Sequence, residues 1–204
     1  GITVIHTRSK TSPRSSIAGR FAESYSFGKA ASAYIARHFA LFDSVYINAW
    51  PLIGQFLIAR ACKANGIPYV MHIQDIYPES LTNKLPALVK QSIYNTLMPF
   101  EKYYLKNASK VVAVSDSMKT YLTHTRQLQA AKVDVVYNWQ DESDFIDCTD
   151  EVQPGQKFTF MYLGNVGVVA GVETLLYAFN KAKLPGCRLI IAGGGSQRSY
   201  CEGI

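Results

Sequence analysis

The 204-residue sequence is short of the features that most directly announce a function. Its four cysteines, Cys62, Cys148, Cys187 and Cys201, form no CxxC pair and stand at no metal-ligand spacing from a histidine. That argues against a zinc site or a disulfide framework and for free or buried thiols in a reducing compartment. His6, His38, His72 and His124 are equally dispersed. No apolar run approaches the roughly 20 residues needed to cross a bilayer, and no signal-peptide pattern is found. Basic clusters interleaved with aromatics are missing, which sets nucleic acid aside as a partner. The chain opens at Gly1, directly in a strand-like ITVIHT, and we expect it to be a piece of a longer protein.

What is present describes a globular chain: 48% apolar and 18% charged residues, with a net charge of +6. The charge is uneven. Residues 141–156 (DESDFIDCTDEVQPGQ) hold six acids and no base, leaving 21 bases against 9 acids elsewhere. One reading is an acidic solvated linker beside an ordinary basic surface; the other is a body that attracts anions such as nucleotide phosphates or acidic lipid.

β-Branched or aromatic runs recur at 2–7, 44–49, 68–73, 110–114, 133–137, 157–163 and 187–192. Each is nearly continuous in apolar residues, as strands buried on both faces of a parallel sheet are. Helical periods lie between them. Phe21, Tyr25, Gly28, Ser32, Ile35 and Phe39 mark one apolar stripe, and Val172, Leu175, Leu176 and Phe179 another. Segment 85–106 is helical in period too, with Pro99 expected to kink or split it. Strand–helix alternation predicts an α/β protein with doubly wound, Rossmann-like parallel sheets. The acidic stretch interrupts the alternation. We therefore expect a domain over 1–140, a linker over 141–156 and the start of a second, truncated domain over 157–204.

Ligands of open α/β sheets bind beyond the carboxyl ends of the strands, which singles out four places. In 162–171, YLGNVGVVAG, Gly164, Gly167 and Gly171 precede a helix whose N-terminal N–H groups suit a diphosphate without any basic side chain. A tight strand–helix connection is the structural alternative. In HIQDIYPES, Asp75 and Glu79 lie near His72, as a strand-end base or as caps of the next segment. Asn138, directly after a strand, can bond its own turn or a ligand, and Trp139 can stack or anchor. Gly193, Gly194 and Gly195 follow the last strand, with Ser196 placed to cap a helix. Arg8, Lys10 and Arg14 form a basic loop that either is simply solvated or holds an anionic acceptor.

In this order, the four places resemble retaining glycosyltransferases of family 4, which have the two-domain GT-B fold. The likeness spans essentially residues 1–204, aligned to the middle of such an enzyme. It is nearest the bacterial surface-polysaccharide branch that includes fucosamine transferases. Its motifs are Asp75-Ile76-Tyr77-Pro78-Glu79-Ser80, Glu101 in a helix before Val111–Ser115, the turn Tyr162–Gly167, and Ile191–Gly195. The resemblance implies a nucleotide-diphosphate-sugar donor bound mainly by the second domain, with no cofactor and usually no metal. A saccharide or lipid-linked acceptor would lie mainly on the first domain. It implies cytoplasmic work, and the lysines Lys84, Lys90, Lys102 and Lys106 suit contact with an anionic membrane face. Asp75, Glu79 and His72 are the catalytic candidates. Asn138, Gly164, Asn165, Gly167, Gly171, Gly193, Gly194 and Gly195 are the donor-binding ones.

The sequence departs from the family pattern at three points. Asn165 and Ala170 stand where many members carry a diphosphate-binding arginine and lysine, and Gln74-Asp75 replaces a frequent His-Asp. The E-x7-E segment that grips the donor lies outside the 204 residues, so the fragment alone is expected to be inactive. A sugar-nucleotide 2-epimerase of the same architecture and a non-catalytic binding module are the competing readings.

Overall fold

Four of the apolar runs pair side by side. In the computed structural model β1 (Val45–Asn48), β2 (Tyr69–Ile73), β3 (Lys110–Ala113) and β4 (Val133–Val135) form one parallel sheet in sequential order. The structure describes residues 1–11, 17–48, 52–83, 85–139, 141, 143 and 157–204. Arg14, Lys84, Cys148 and most of the acidic stretch lie outside the described residues. The chain divides into two units, Gly1–Gln140 and Asp141–Ile204.

In the first unit α1 (Ile17–Arg37) precedes β1, and α2 (Leu52–Ala64) joins β1 to β2. The short α3 (Glu79–Thr82) and the long α4 (Ala87–Asn107) join β2 to β3, and α5 (Asp116–Arg126) joins β3 to β4. Because each parallel neighbour is the next strand in sequence, right-handed crossovers bring α2, α4 and α5 to the same face. Burial follows. Ile47, Met71, Val111 and Val133 are in register and all buried, whereas their neighbours Asn48, His72, Val112 and Asp134 are not. This is one wing of a Rossmann-like sheet.

Three local expectations change. Residues 2–7 form no strand; Ile2 is 95% and Val4 71% exposed, and no ladder partner exists for them among the described residues. A strand is stabilised by its neighbour, so a nearly continuous apolar run alone does not make one. On α1 the buried side is Ser24, Gly28 and Ile35, while Phe21 and Tyr25 are exposed, as is Phe39 in the 3-10 turn beyond its end. α1 crosses α2 at glycines: a Cβ on Gly28 would lie 2.6 Å from Gly54 Cα, and Gly54 N donates to Ser24 Oγ at 2.8 Å. Backbone approach, not an apolar stripe, sets that contact. Finally Pro99 does not split α4, which is one helix through it; the proline and Asn95, whose carbonyl loses its helical donor, both lie on the exposed side.

The second unit pairs β5 (Phe158–Leu163) with β6 (Cys187–Ala192), again parallel, with α6 (Val172–Ala182) between them and a short α7 (Arg198–Cys201) after. Little of it is buried. Val166, Gly167 and Val172 are, whereas Phe158, Met161 and Leu163 are each more than 60% exposed.

Candidate functional site

At the carboxyl end of β2 the chain leaves the sheet through Gln74-Asp75-Ile76 and turns at Tyr77-Pro78, a cis peptide, into α3. The two carboxylates of that stretch part company. Asp75 is exposed and has no hydrogen bond or ion pair among the described residues. Glu79 turns inward to Arg126, which the sequence reading passed over. Arg126 Nη2 donates to both Glu79 oxygens (2.7 and 2.6 Å) and to the Tyr77 carbonyl (2.9 Å), and its Nε donates to Glu101 Oε2 at 2.5 Å. Tyr121 Oη adds a bond to Glu79 Oε1 at 2.8 Å. The Arg126 and Glu101 side chains are fully buried.

The electrostatics follow from that burial. Desolvation pushes the Glu101 carboxyl up to about 7, even though Arg126 beside it pulls the other way. Burial also opposes the Arg126 charge, but the two carboxylates outweigh it and raise its pKa. Glu79 is therefore the ion-pair partner of a buried guanidinium, with its own side chain 19% exposed. The hint for Arg126 was its place: four residues after the buried Leu122, on the same face of α5.

His72 and Asn138, read separately in the sequence, are joined. Gln74 Nε2 lies 3.0 Å from His72 Nε2 and 3.3 Å from Asn138 Oδ1, and Asn138 Nδ2 donates to Gln74 Oε1 at 3.1 Å. Tyr46 Oη is 2.6 Å from His72 Nδ1. With the Gln74 amide donating, Nε2 accepts and the ring proton sits on Nδ1, facing Tyr46. Burial lowers the His72 pKa, in keeping with a neutral ring. Trp139 beside Asn138 is 84% exposed.

In the second unit the two glycine turns zip together. Gly164 N donates to the Ala192 carbonyl (3.0 Å), Val166 N to Gly194 (2.8 Å), and Gln197 N to Val166 (3.0 Å). Gly193 has φ +152°, and a Cβ there would overlap the Gly164 carbonyl oxygen. One on Gly195, at φ +156°, would strike the Val166 carbonyl and Asn165 Oδ1. These glycines are needed for the chain's own close approach, whether or not a ligand also uses it. Gly171, at φ +65°, starts α6 without a side-chain cap, after a 3-10 turn over Val168–Ala170. The first N–H groups of α6, which no helical carbonyl can satisfy, follow directly on this turn.

The basic loop goes elsewhere. Arg8 and Lys10 line a shallow groove of about 480 Å³ with Tyr25, Ser26 and Lys29 of α1. On α4, Lys90 is bonded to Asn83 Oδ1 at 2.7 Å, while Lys106 is exposed. Among the described residues no three His, Cys, Asp or Glu side chains gather as a metal site, and no helix is long and apolar enough to cross a membrane.

The profile of Glycosyltransferase Family 4 matches residues 3–144. The chain belongs to that family. No curated protein matches it in sequence. Among solved structures, HepE of Anabaena in complex with UDP is 17% identical with a TM-score of 0.57, covering 84% of this chain and 46% of that one. A glycosyltransferase from Rickettsia africae is 18% identical with a TM-score of 0.55, covering 93% and 48%. At these identities the likeness shows the fold, a partial GT-B arrangement of Rossmann-like units. The family 4 chain spans about half the length of these structures.

Proposed function

We propose that the protein is a retaining glycosyltransferase. It moves a hexose-type sugar from a nucleotide-diphosphate donor to a saccharide or lipid-linked acceptor, in the surface-polysaccharide manner of the fucosamine-transferase branch. The observation that carries this reading is the family match over residues 3–144, to which the joined glycine turns ahead of α6 add a place for the donor. The diphosphate would rest on the backbone N–H groups at the start of α6, where Asn165 and Ala170 supply no cation. Negative charge grows on the leaving diphosphate in the transition state, so preorganised N–H groups there lower the barrier. Asp75, the exposed carboxylate at the end of β2, would face the acceptor or the transferred sugar. HepE has been solved with UDP and glucose, which makes a uridine nucleotide the first donor to try. Domain roles follow the family: acceptor on the first unit, donor on the second, with no metal bound and with work at the inner membrane face. The 204 residues alone would be inactive.

The test is a thermal-shift and turnover screen of the full-length gene product with nucleotide-diphosphate sugars, UDP-glucose first. A donor-dependent rise in melting temperature, with release of nucleoside diphosphate that persists in EDTA, supports the reading. No shift and no release with any donor would sink it.

A further inference from the structure

We propose that Arg126 is a positioning residue: it holds the strand-end loop 74–79 in place and so sets where Asp75 is presented. This rests on the reading of Asp75 above for its catalytic consequence, but its structural half stands alone. The loop leaves β2 at Ile73 and must return to the protein at α3. Between these points Asp75 has no side-chain anchor among the described residues. Gln74 is held to His72 and Asn138, and Tyr121 and Tyr94 each bring a hydroxyl to Glu79 Oε1. Among the described residues, however, the one group that reaches the loop at two of its residues is the Arg126 guanidinium.

Arg126 takes the Tyr77 carbonyl and both Glu79 oxygens on Nη2, two residues and four residues beyond Asp75. Its Nε is fixed from behind by Glu101 of α4, and Nη1 donates to Thr125 Oγ1 at 2.9 Å. The planar fork thus ties α4, α5 and the loop together with directions fixed by covalent geometry. A lysine could satisfy one carboxylate but not both and the carbonyl. Around the fork stand Tyr94, Glu101 and Tyr104 of α4, Tyr121 of α5, and Tyr77 and Glu79 of the loop and α3. A second guanidinium, Arg20 of α1, acts electrostatically on the Tyr77 side chain, whereas the guanidinium bonds to Glu79 and to the Tyr77 carbonyl come from Arg126. Of the candidate site residues the cluster holds Glu79 itself, and through it the segment that carries the exposed Asp75.

The experiment is hydrogen exchange on the full-length protein, paired with UDP release from UDP-glucose by the same protein. In Arg126→Lys, the hydrogen-bonded amides of Tyr77, Ser80, Leu81 and Thr82 should exchange about tenfold faster or more, while Leu105 and Val111 keep their protection. Asp75→Asn and Arg126→Lys should each cut turnover at saturating donor by about tenfold, with KM for the donor little changed, and the double variant should lose little more. If Arg126→Lys fails to fold, Tyr121→Phe, which removes one bond to Glu79, should give the same loop response in smaller measure. Loop exchange within about twofold of the parent in a folded variant overturns the proposal, as do additive turnover losses. If Asp75→Asn turns over normally while the loop response is seen, the role of Asp75 has failed and the hold of Arg126 has not.

Discussion

The two units are written in one grammar, strand, turn, helix, strand, yet they are held together differently. The first has a buried sheet face and a fully buried Arg126–Glu101 pair extended to Glu79. The second has two strands with exposed apolar side chains, and its order rests on backbone bonds between glycine turns. One unit is sensitive to side-chain charge and the other to the mere presence of a Cβ. The contrast teaches that a strand-end motif can be a packing device in one place and a backbone device in another.

The largest expected effect breaks the first half of that contrast. Arg126→Met leaves Glu101 and Glu79 without their partner and should cost about 3–5 kcal/mol, read as a drop in the urea midpoint of the first unit. An unchanged midpoint would mean that the cluster is decoration. Next comes pH. Glu101 sits at about 7 in the folded chain against an ordinary value of 4.5, so the folded state binds the extra proton between these values. Its contribution is full below pH 4.5 and is lost as pH rises to about 7, a change of about 3 kcal/mol in order of magnitude. Glu101→Gln should flatten that slope in a series of denaturant titrations.

The second unit answers to backbone space. Gly193→Ala should cost about 2–3 kcal/mol and remove amide protection from β5 and β6. The adjacent Gly194, with nothing near its missing Cβ, should accept alanine within about 0.5 kcal/mol. Equal effects at the two positions would deny the zipped-turn account. The smallest effect concerns His72. Asn138→Ala frees the Gln74 amide to turn its oxygen toward Nε2, so the His72 pKa should rise from its lowered value by less than about one unit. An NMR titration of the ring would show it; a fall would contradict the assigned direction of the chain of bonds.

Much of the fold was legible because burial on a parallel sheet leaves a one-dimensional mark. Six of the seven expected strands are found, and the turns at Gly164–Gly167 and Gly193–Gly195 are where the glycines placed them. Residues 2–7 carried the same mark without a ladder, and Pro99 carried a break that the exposed face of α4 absorbed. The site was less legible. Asp75 and Glu79 look alike in a string, and nothing local says that one meets Arg126, 47 residues away from Glu79, while the other stays in water.

By itself, then, the sequence determined the order of strands and helices, the glycine turns and the family, because periodicity, turn chemistry and motif spacing are local properties. Only the tertiary structure decided that Glu79 and Glu101 share one buried guanidinium, that His72 reaches Asn138 through Gln74, and that Gly193 is a contact for Gly164. Those choices depend on which distant elements are brought within a few ångströms, and desolvation then gives each meeting its energy.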